Sequence, residues 1–200
     1  MAPPLTIIIA TILYAIIHSL LATLGAKART QQWFGPAADR WYRLAYNLFA
    51  GISFLPILWL MTVLPDQRLY TIPFPWVIIS TLGQVLGAVI IVLGILQTDA
   101  WSFIGLRQII TPPTHDKEPE LIINGLYHRM RHPLYTGGLL FIWLTPVMTV
   151  NALTLTIILS IYLIVGARFE ERRLLHEFGE AYAEYQKQVP MLIPRVKREA

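Results

Sequence analysis

Residues 134–166, LYTGGLLFIWLTPVMTVNALTLTIILSIYLIVG, contain no Asp, Glu, Lys, Arg or His. Charged clusters stand at both ends of this run, Arg131-His132-Pro133-Leu134-Tyr135 before it and Phe169-Glu170-Glu171-Arg172 after it. A tight turn at residues 149–152 would divide the run into two antiparallel membrane helices. Because such a hairpin returns both clusters to the same face of the membrane, the pattern predicts one shared polar site.

The composition of the whole chain is typical of an integral membrane protein. Of its 200 residues, 55% are hydrophobic and only 14% are charged, and the mean hydropathy is +0.53. The chain has no cysteine, which excludes disulfides, thiolate metal ligands and a cysteine nucleophile. We therefore expect a single membrane domain over residues 1–200, with its catalytic half at about residues 97–194.

Five apolar runs have about the length that crosses roughly 30 Å of hydrocarbon. They predict an all-α bundle of five transmembrane helices, of which the last two form a tight hairpin. After Arg168 the apolar spacing continues along one face, which predicts a C-terminal amphipathic helix at the membrane surface. Gly179 marks a bend or a close approach in that helix. The predicted spans are approximately residues 4–24, 42–64, 76–96, 133–150 and 151–168.

The basic residues predict how these spans are oriented. Of the sixteen lysines and arginines, fifteen fall in the first loop, the third loop or the tail, and only Arg68 falls in the second loop. By the positive-inside rule the N-terminus then faces out and the C-terminus faces the cytoplasm, which suits a bacterial inner membrane. This topological role explains the net charge of +4 without a nucleic-acid partner. The long polar third loop, residues 97–132, is expected to be functional.

The two charged clusters have the chemistry of a ligand site. Pro133 suits the first turn of a helix, whose free N–H groups bind anions, and Arg131 offers a planar fork to a carboxylate. Glu170 and Glu171 are about 100° apart on a helix, so at most one of them points squarely into a shared cleft. With the aromatic ring of Tyr135, this set matches a zwitterion with an additional positive centre, as in S-adenosylmethionine.

Several motifs together resemble one family, the integral membrane methyltransferases that include isoprenylcysteine carboxyl, phospholipid and methanethiol methyltransferases, with methanethiol S-methyltransferase the most similar branch. The resemblance implies an S-adenosylmethionine pocket and a small or lipophilic acceptor, most simply a thiol. It also implies cofactor contacts from Gly125, Tyr127, His132, Tyr135, Glu170 and Glu171, and a catalytic or substrate-site role for Arg131 and Glu171. The matching motifs are residues 125–127, 131–137, 170–172, 178–185 and 189–190.

His18 is the candidate general base for a thiol acceptor, because it lies near the predicted cytoplasmic mouth of the first span. Its alternative role is a hydrogen bond between helices. The five histidines lack the spacing of metal ligands, so no metal site is predicted. Gly83, Gly87 and Gly94 predict a face for helix packing.

Other functions remain open at this stage. The acceptor is alternatively a carboxyl group or a lipid amine, and the chain is alternatively a non-enzymatic membrane carrier or assembly protein that keeps the fold. Arg131 and His132 would then be topology anchors at the membrane surface, and the Glu pair a solvated helix end. The bilayer and the substrate are the expected partners, with no obligate protein partner.

Overall fold

The structure, a computed structural model, describes residues 2–111 and 121–194. Residues 112–120 of the predicted third loop lie outside the described residues. Within those described, the helices are α1 (Pro3–Leu21), α2 (Leu24–Phe34), α3 (Pro36–Val63), α4 (Trp76–Gln97), α5 (Ala100–Ile104), α6 (Arg107–Ile110), α7 (Pro133–Trp143), α8 (Val150–Phe178) and α9 (Glu180–Gln188). A 3-10 turn covers Gly125–His128, and two short strands, β1 (Arg68–Thr71) and β2 (Val147–Thr149), pair with each other.

Four helices among the described residues are long and apolar enough to cross a membrane: α1, α3, α4 and α8. The prediction of a mostly helical membrane protein is therefore confirmed, whereas five spans and a tight hairpin remain predictions. α3 begins at Pro36 rather than at residue 42, because proline suits the first position of a helix. α8 continues to Phe178 without a break at residue 168, since the predicted surface helix extends the span directly.

The predicted helix over residues 133–150 is wrong beyond Trp143. α7 has 11 residues, or about 16 Å of helix, against the roughly 30 Å of a hydrocarbon core. Pro146 follows its end, and proline both interrupts a helix and disfavours helical backbone at the residue before it. The chain continues as β2, for which the apolar pattern held no signal.

Side chains from α4 satisfy the carbonyl groups that the early end of α7 leaves open. Ser80 Oγ donates a hydrogen bond to the Leu144 carbonyl, and Gln84 Nε2 donates to the Phe141 carbonyl at 2.9 Å. Within an apolar environment each unpaired carbonyl costs several kcal/mol, on the order of 2–7. Ser80 and Gln84, two of the few polar residues of α4, therefore permit α7 to stop short.

The glycines of α4 pack against α7, as their spacing predicted. A Cβ atom on Gly87 would lie 2.7 Å from the Gly137 carbonyl oxygen, and one on Gly137 would lie 2.6 Å from the Gly87 carbonyl oxygen. At Gly83 and Gly94 an added Cβ would overlap leucine side chains of the α7 segment. Only glycine allows the two backbones to approach this closely.

The chain divides into two compact units. Unit 1 comprises Met1–Leu69, Asp99–Glu118 and Thr149–Ile158, and unit 2 comprises Tyr70–Thr98, Pro119–Met148 and Leu159–Ala200. In unit 1, the Nδ2 atom of Asn47 on α3 donates to the carbonyl groups of Phe103 and Ile104 at 2.9 and 2.8 Å, which caps α5.

Gly179 ends α8 with a φ of 54° and separates it from α9. Apart from its neighbours along the chain, no described residue has an atom within 4 Å of a Cβ built on it. Of the two predicted roles, a bend is therefore confirmed and a close approach is not, because the backbone angle alone requires glycine here.

Replacing Gly87 by Ala is expected to destabilise the protein by about 1–3 kcal/mol, the typical cost of overpacking, because the new methyl group overlaps backbone atoms of α7. The measurement is the melting temperature in detergent. Gly51→Ala is the matched control: Gly51 is also helical, and a Cβ atom added to it would have no atom within 4 Å. An equal melting temperature for Gly87→Ala and Gly51→Ala would contradict the packing role.

Candidate active site

Arg131 joins three elements of unit 2 through its guanidinium group. Its Nε and Nη2 atoms lie 2.6 and 2.5 Å from Oε1 of Glu171 on α8. Its Nη1 atom donates to the carbonyl groups of Gln186 at 3.0 Å and of Val189, at the end of α9. The two charged side chains are only 10% and 15% exposed. All three nitrogens of Arg131 are therefore engaged, and loss of either charge leaves its partner buried and uncompensated.

The segment after α9 lies along the start of α7. The amide groups of Arg131 and His132 donate to the carbonyl groups of Pro190 and Met191 at 3.0 and 3.1 Å. Thr136 Oγ1 donates to the Leu192 carbonyl at 2.8 Å. This segment, residues 189–192, is called the strap below. It fixes the entry to α7, and it occupies the two amide groups that precede Pro133.

His132 lies between the two glutamates and is 5% exposed. Its Nε2 atom is 3.3 Å from Glu171 Oε1, and its Nδ1 atom is 3.6 Å from Glu170 Oε2. Burial lowers the pKa of His132, and the charges of Glu170 and Glu171 oppose that shift without cancelling it. The imidazole is therefore neutral near pH 7.

Glu170 faces outward from this cluster. Its Oε2 atom accepts a hydrogen bond from Tyr135 Oη at 2.9 Å, and its side chain is 37% exposed. Among the described residues, no donor reaches its Oε1 atom. The two successive glutamates thus divide as the helical spacing predicted, with Glu171 bound to arginine and Glu170 open on one side.

Tyr127 and Gly125 lie on the 3-10 turn next to the end of α4. Gly125 has a φ of 59°, and a Cβ on it would lie 2.5 Å from Nε2 of Gln97. Gln97 Oε1 accepts the Leu126 amide at 2.9 Å, so the glycine is required by this close approach. Burial, with the charge of Glu170 next in effect, raises the pKa of Tyr127 to about 12, and its phenol stays protonated.

Tyr182 on α9 is a residue of this region that the sequence did not single out. Its side chain is 1% exposed, and its Oη atom has no hydrogen-bond partner among the described residues. Burial, followed by the charge of Glu171, raises its pKa. The sequence presented Tyr182 as an apolar position on an amphipathic helix and as part of the motif 178–185, without a role of its own. The place of its phenolic oxygen beside the Arg131–Glu171 pair follows from the fold.

His18 belongs to unit 1, whereas the other predicted site residues belong to unit 2. Tyr46 Oη lies 2.9 Å from His18 Nε2 and 3.2 Å from Nδ1, and the ring of Tyr14 is 5.4 Å away. This contact between α1 and α3 is the alternative, structural role predicted for His18, and it leaves the role of a base untested. Two shallow hollows, which none of the predicted site residues lines, also lie in unit 1.

Comparisons with known proteins identify the family. Residues 82–181 match the family model described as phospholipid methyltransferase. Methanethiol S-methyltransferase of Pseudomonas deceptionensis is 30% identical over 93% of this chain and 71% of the relative. Methanethiol S-methyltransferase 2 of Bradyrhizobium diazoefficiens is 33% identical over 92% and 70%. Protein-S-isoprenylcysteine O-methyltransferase of Xenopus laevis is 30% identical over 78% and 52%. No solved structure matches the chain.

The matched segment, residues 82–181, contains every predicted site residue of unit 2. The relatives named above are all methyltransferases, and four helices of this chain have the length and composition of membrane spans. The chain therefore belongs to the family of integral membrane methyltransferases that the phospholipid methyltransferase model describes.

Proposed function

We propose that the protein transfers a methyl group from S-adenosylmethionine to a thiol on a small or lipophilic acceptor, at the cytoplasmic side of a bacterial inner membrane. The names of two of its relatives, both methanethiol S-methyltransferases, support a thiol acceptor. The observation that carries the proposal is Glu170, a carboxylate with one oxygen held by Tyr135 and the other oxygen open, at 37% exposure. A fixed, half-exposed negative charge is suited to a cationic ligand.

The residues of unit 2 fit S-adenosylmethionine, which carries an ammonium, a sulfonium and a carboxylate. Glu170 would attract the positive charges, and the rings of Tyr127 and Tyr135 would add cation–π contacts of about 0.5–2 kcal/mol each. His132 and Gly125 would lie beside the bound cofactor. The unpartnered Tyr182 hydroxyl is a buried donor next to this set.

Arg131 and Glu171 take a different role in this proposal from the catalytic one predicted. Because the guanidinium group is already bound to Glu171, Gln186 and Val189, it is not available to a ligand carboxylate. Arg131 and Glu171 are instead positioning residues, which hold α8 so that Glu170 faces outward.

When bound, S-adenosylmethionine supplies a methyl group that its sulfonium charge already activates. The chain then has to position the acceptor, exclude water and take up the thiol proton. We assign that last role to His18, whose ring is held by Tyr46. An ionisable residue within a membrane helix is a candidate functional residue, and imidazole is the commonest general base in proteins.

Replacing Glu170 by Gln is expected to weaken S-adenosylmethionine binding by about 10- to 150-fold, since a hydrogen bond to a charged group contributes about 1.5–3 kcal/mol. The measurement is the thermal shift: cofactor at 100 times its dissociation constant should stabilise the native protein by about 2.7 kcal/mol. Glu184→Gln is the control, since Glu184 is exposed on α9 and pairs with Lys187. A wild-type melting curve that cofactor does not move would contradict the proposal and favour the non-enzymatic alternative.

Replacing Glu171 by Gln is expected to act on the fold rather than on the open ligand contact. The change leaves Arg131 buried without its counter-charge, which costs about 3–5 kcal/mol of stability. Its melting temperature should therefore fall in the absence of cofactor, whereas that of Glu170→Gln should stay near wild type. Equal losses in both variants would contradict the division of roles between the two glutamates.

With a methyl-labelled cofactor, a thiol is expected to yield the labelled product, and His18→Ala is expected to slow turnover by about 10²–10⁴-fold while cofactor still binds. The pH dependence of turnover should change with it. His176→Ala, at an exposed position of α8, is the matched control. Label in a carboxyl ester or a lipid amine would replace the thiol assignment, and an unchanged His18→Ala would remove its role as base.

The neutral state of His132 predicts a pH dependence of stability. Its pKa is lowered in the folded state, so below about pH 6.5 the unfolded chain binds the proton more strongly, and stability falls as the pH falls. When the pH is lowered from about 8 to about 5, the melting temperature of wild type should fall further than that of His132→Gln, whose amide side chain does not titrate. Parallel curves for the two proteins would contradict a neutral, buried His132.

A further inference from the structure

Unit 1 contains an apolar groove between α2 and α3. Phe34, Trp41 and Tyr42 provide aromatic walls, and Ala37, Ala38 and Ala45 leave the space between them. α2 connects the end of α1 to the start of α3, so it lies at the ends of two candidate spans rather than across a membrane. The groove therefore lies where acyl chains meet headgroups.

α2 has the properties of a helix at the membrane surface. Thr23 Oγ1 accepts the Ala26 amide at 3.2 Å and caps its start, and Trp33 and Phe34 near its end are 73% and 66% exposed. Tryptophan is enriched at this level of the bilayer. A short helix with exposed aromatic and basic residues binds anionic membranes through both kinds of contact.

Polar contacts hold the two walls of the groove together. Asp39 on α3 accepts a hydrogen bond from Gln31 Nε2 on α2 at 2.9 Å and lies 3.6 Å from Lys27 Nζ. Tyr42 Oη donates to the Leu21 carbonyl at the end of α1, at 2.5 Å. The groove is thus a fixed feature of unit 1 rather than a gap between loose helices.

Two exposed arginines next to groove-lining residues in sequence give this part of unit 1 a charge preference. Arg29 directly precedes the lining residue Thr30, and Arg40 directly precedes Trp41. Both arginines are exposed, and neither has an ion-pair partner among the described residues. Asp39 is the only carboxylate between residues 24 and 47, and it is already bound. An anion near Arg29 and Arg40 would therefore meet two cations without an ion-pair partner and no unbound carboxylate of this segment.

We propose that this groove binds one acyl chain of an anionic phospholipid, whose headgroup phosphate is held by Arg29 and Arg40. An apolar channel with aromatic walls suits an unbranched hydrocarbon chain, and each arginine near an anionic headgroup contributes enough for about a fivefold preference. The lipid would anchor α2 to the membrane surface. This site is distinct in residues and ligand from the proposed methyl-transfer site.

Native mass spectrometry with equal amounts of phosphatidylglycerol and phosphatidylcholine of the same acyl chains tests the proposal. Wild type should retain phosphatidylglycerol preferentially. In R29Q/R40Q the ratio of bound phosphatidylglycerol to bound phosphatidylcholine should fall by about fivefold for each arginine removed. The matched control is R68Q, since Arg68 is exposed on β1, away from the groove's lining residues. Equal retention of the two lipids by wild type, or the same loss in R68Q, would overturn the proposal.

A second variant tests the acyl-chain contact apart from the charge. Ala37→Leu fills the groove, so it should lower retention of both lipids and leave their ratio unchanged. Ala22→Leu, at an exposed position outside the groove, should retain lipid as wild type does. Melting temperatures establish that each variant is folded. Undiminished lipid binding by Ala37→Leu would show that the lipid lies elsewhere and would overturn the assignment.

Discussion

Arg131 places its guanidinium group between the Glu171 carboxylate and the carbonyl groups of Gln186 and Val189. One side chain thus joins the start of α7, the middle of α8 and the end of α9. The Arg131–Glu171 pair is nearly buried. The free-energy cost of removing two charges from water is offset only when both charges are well hydrogen-bonded. Arg131 meets that condition through three acceptors, and Glu171 Oε1 has a further contact with His132 Nε2 at 3.3 Å.

The contact between Arg131 and Glu171 gives the neighbouring residues Glu170 and Glu171 different roles. Neighbouring residues on a helix point about 100° apart, so fixing Glu171 inward on Arg131 turns Glu170 outward, where Tyr135 holds one of its oxygens. A neutral His132 between them adds no positive charge to offset Glu170. The strap reinforces the arrangement by binding the backbone at Arg131 and His132. The proposed cofactor contact therefore depends on residues that do not touch the cofactor.

Much of this could be predicted from the sequence because charge is rare in the chain. Because the run of 33 residues between the two charged clusters carries no charge, its folding back predicts that the clusters lie close together. In the structure Arg131 of one cluster contacts Glu171 of the other. What could not be predicted depends on tertiary contacts: the early end of α7 relies on Ser80 and Gln84, the strap is held by backbone carbonyls that any residue carries, and Gly125 is set by Gln97, 28 residues earlier.

An experimental structure with S-adenosylhomocysteine bound tests the central claim most directly. The account predicts that Glu170 Oε1, which no donor among the described residues reaches, contacts the ligand, while Arg131 keeps its contacts with Glu171 and the end of α9. A ligand bound away from Glu170, or an Arg131 guanidinium turned from Glu171 towards the ligand, would contradict it.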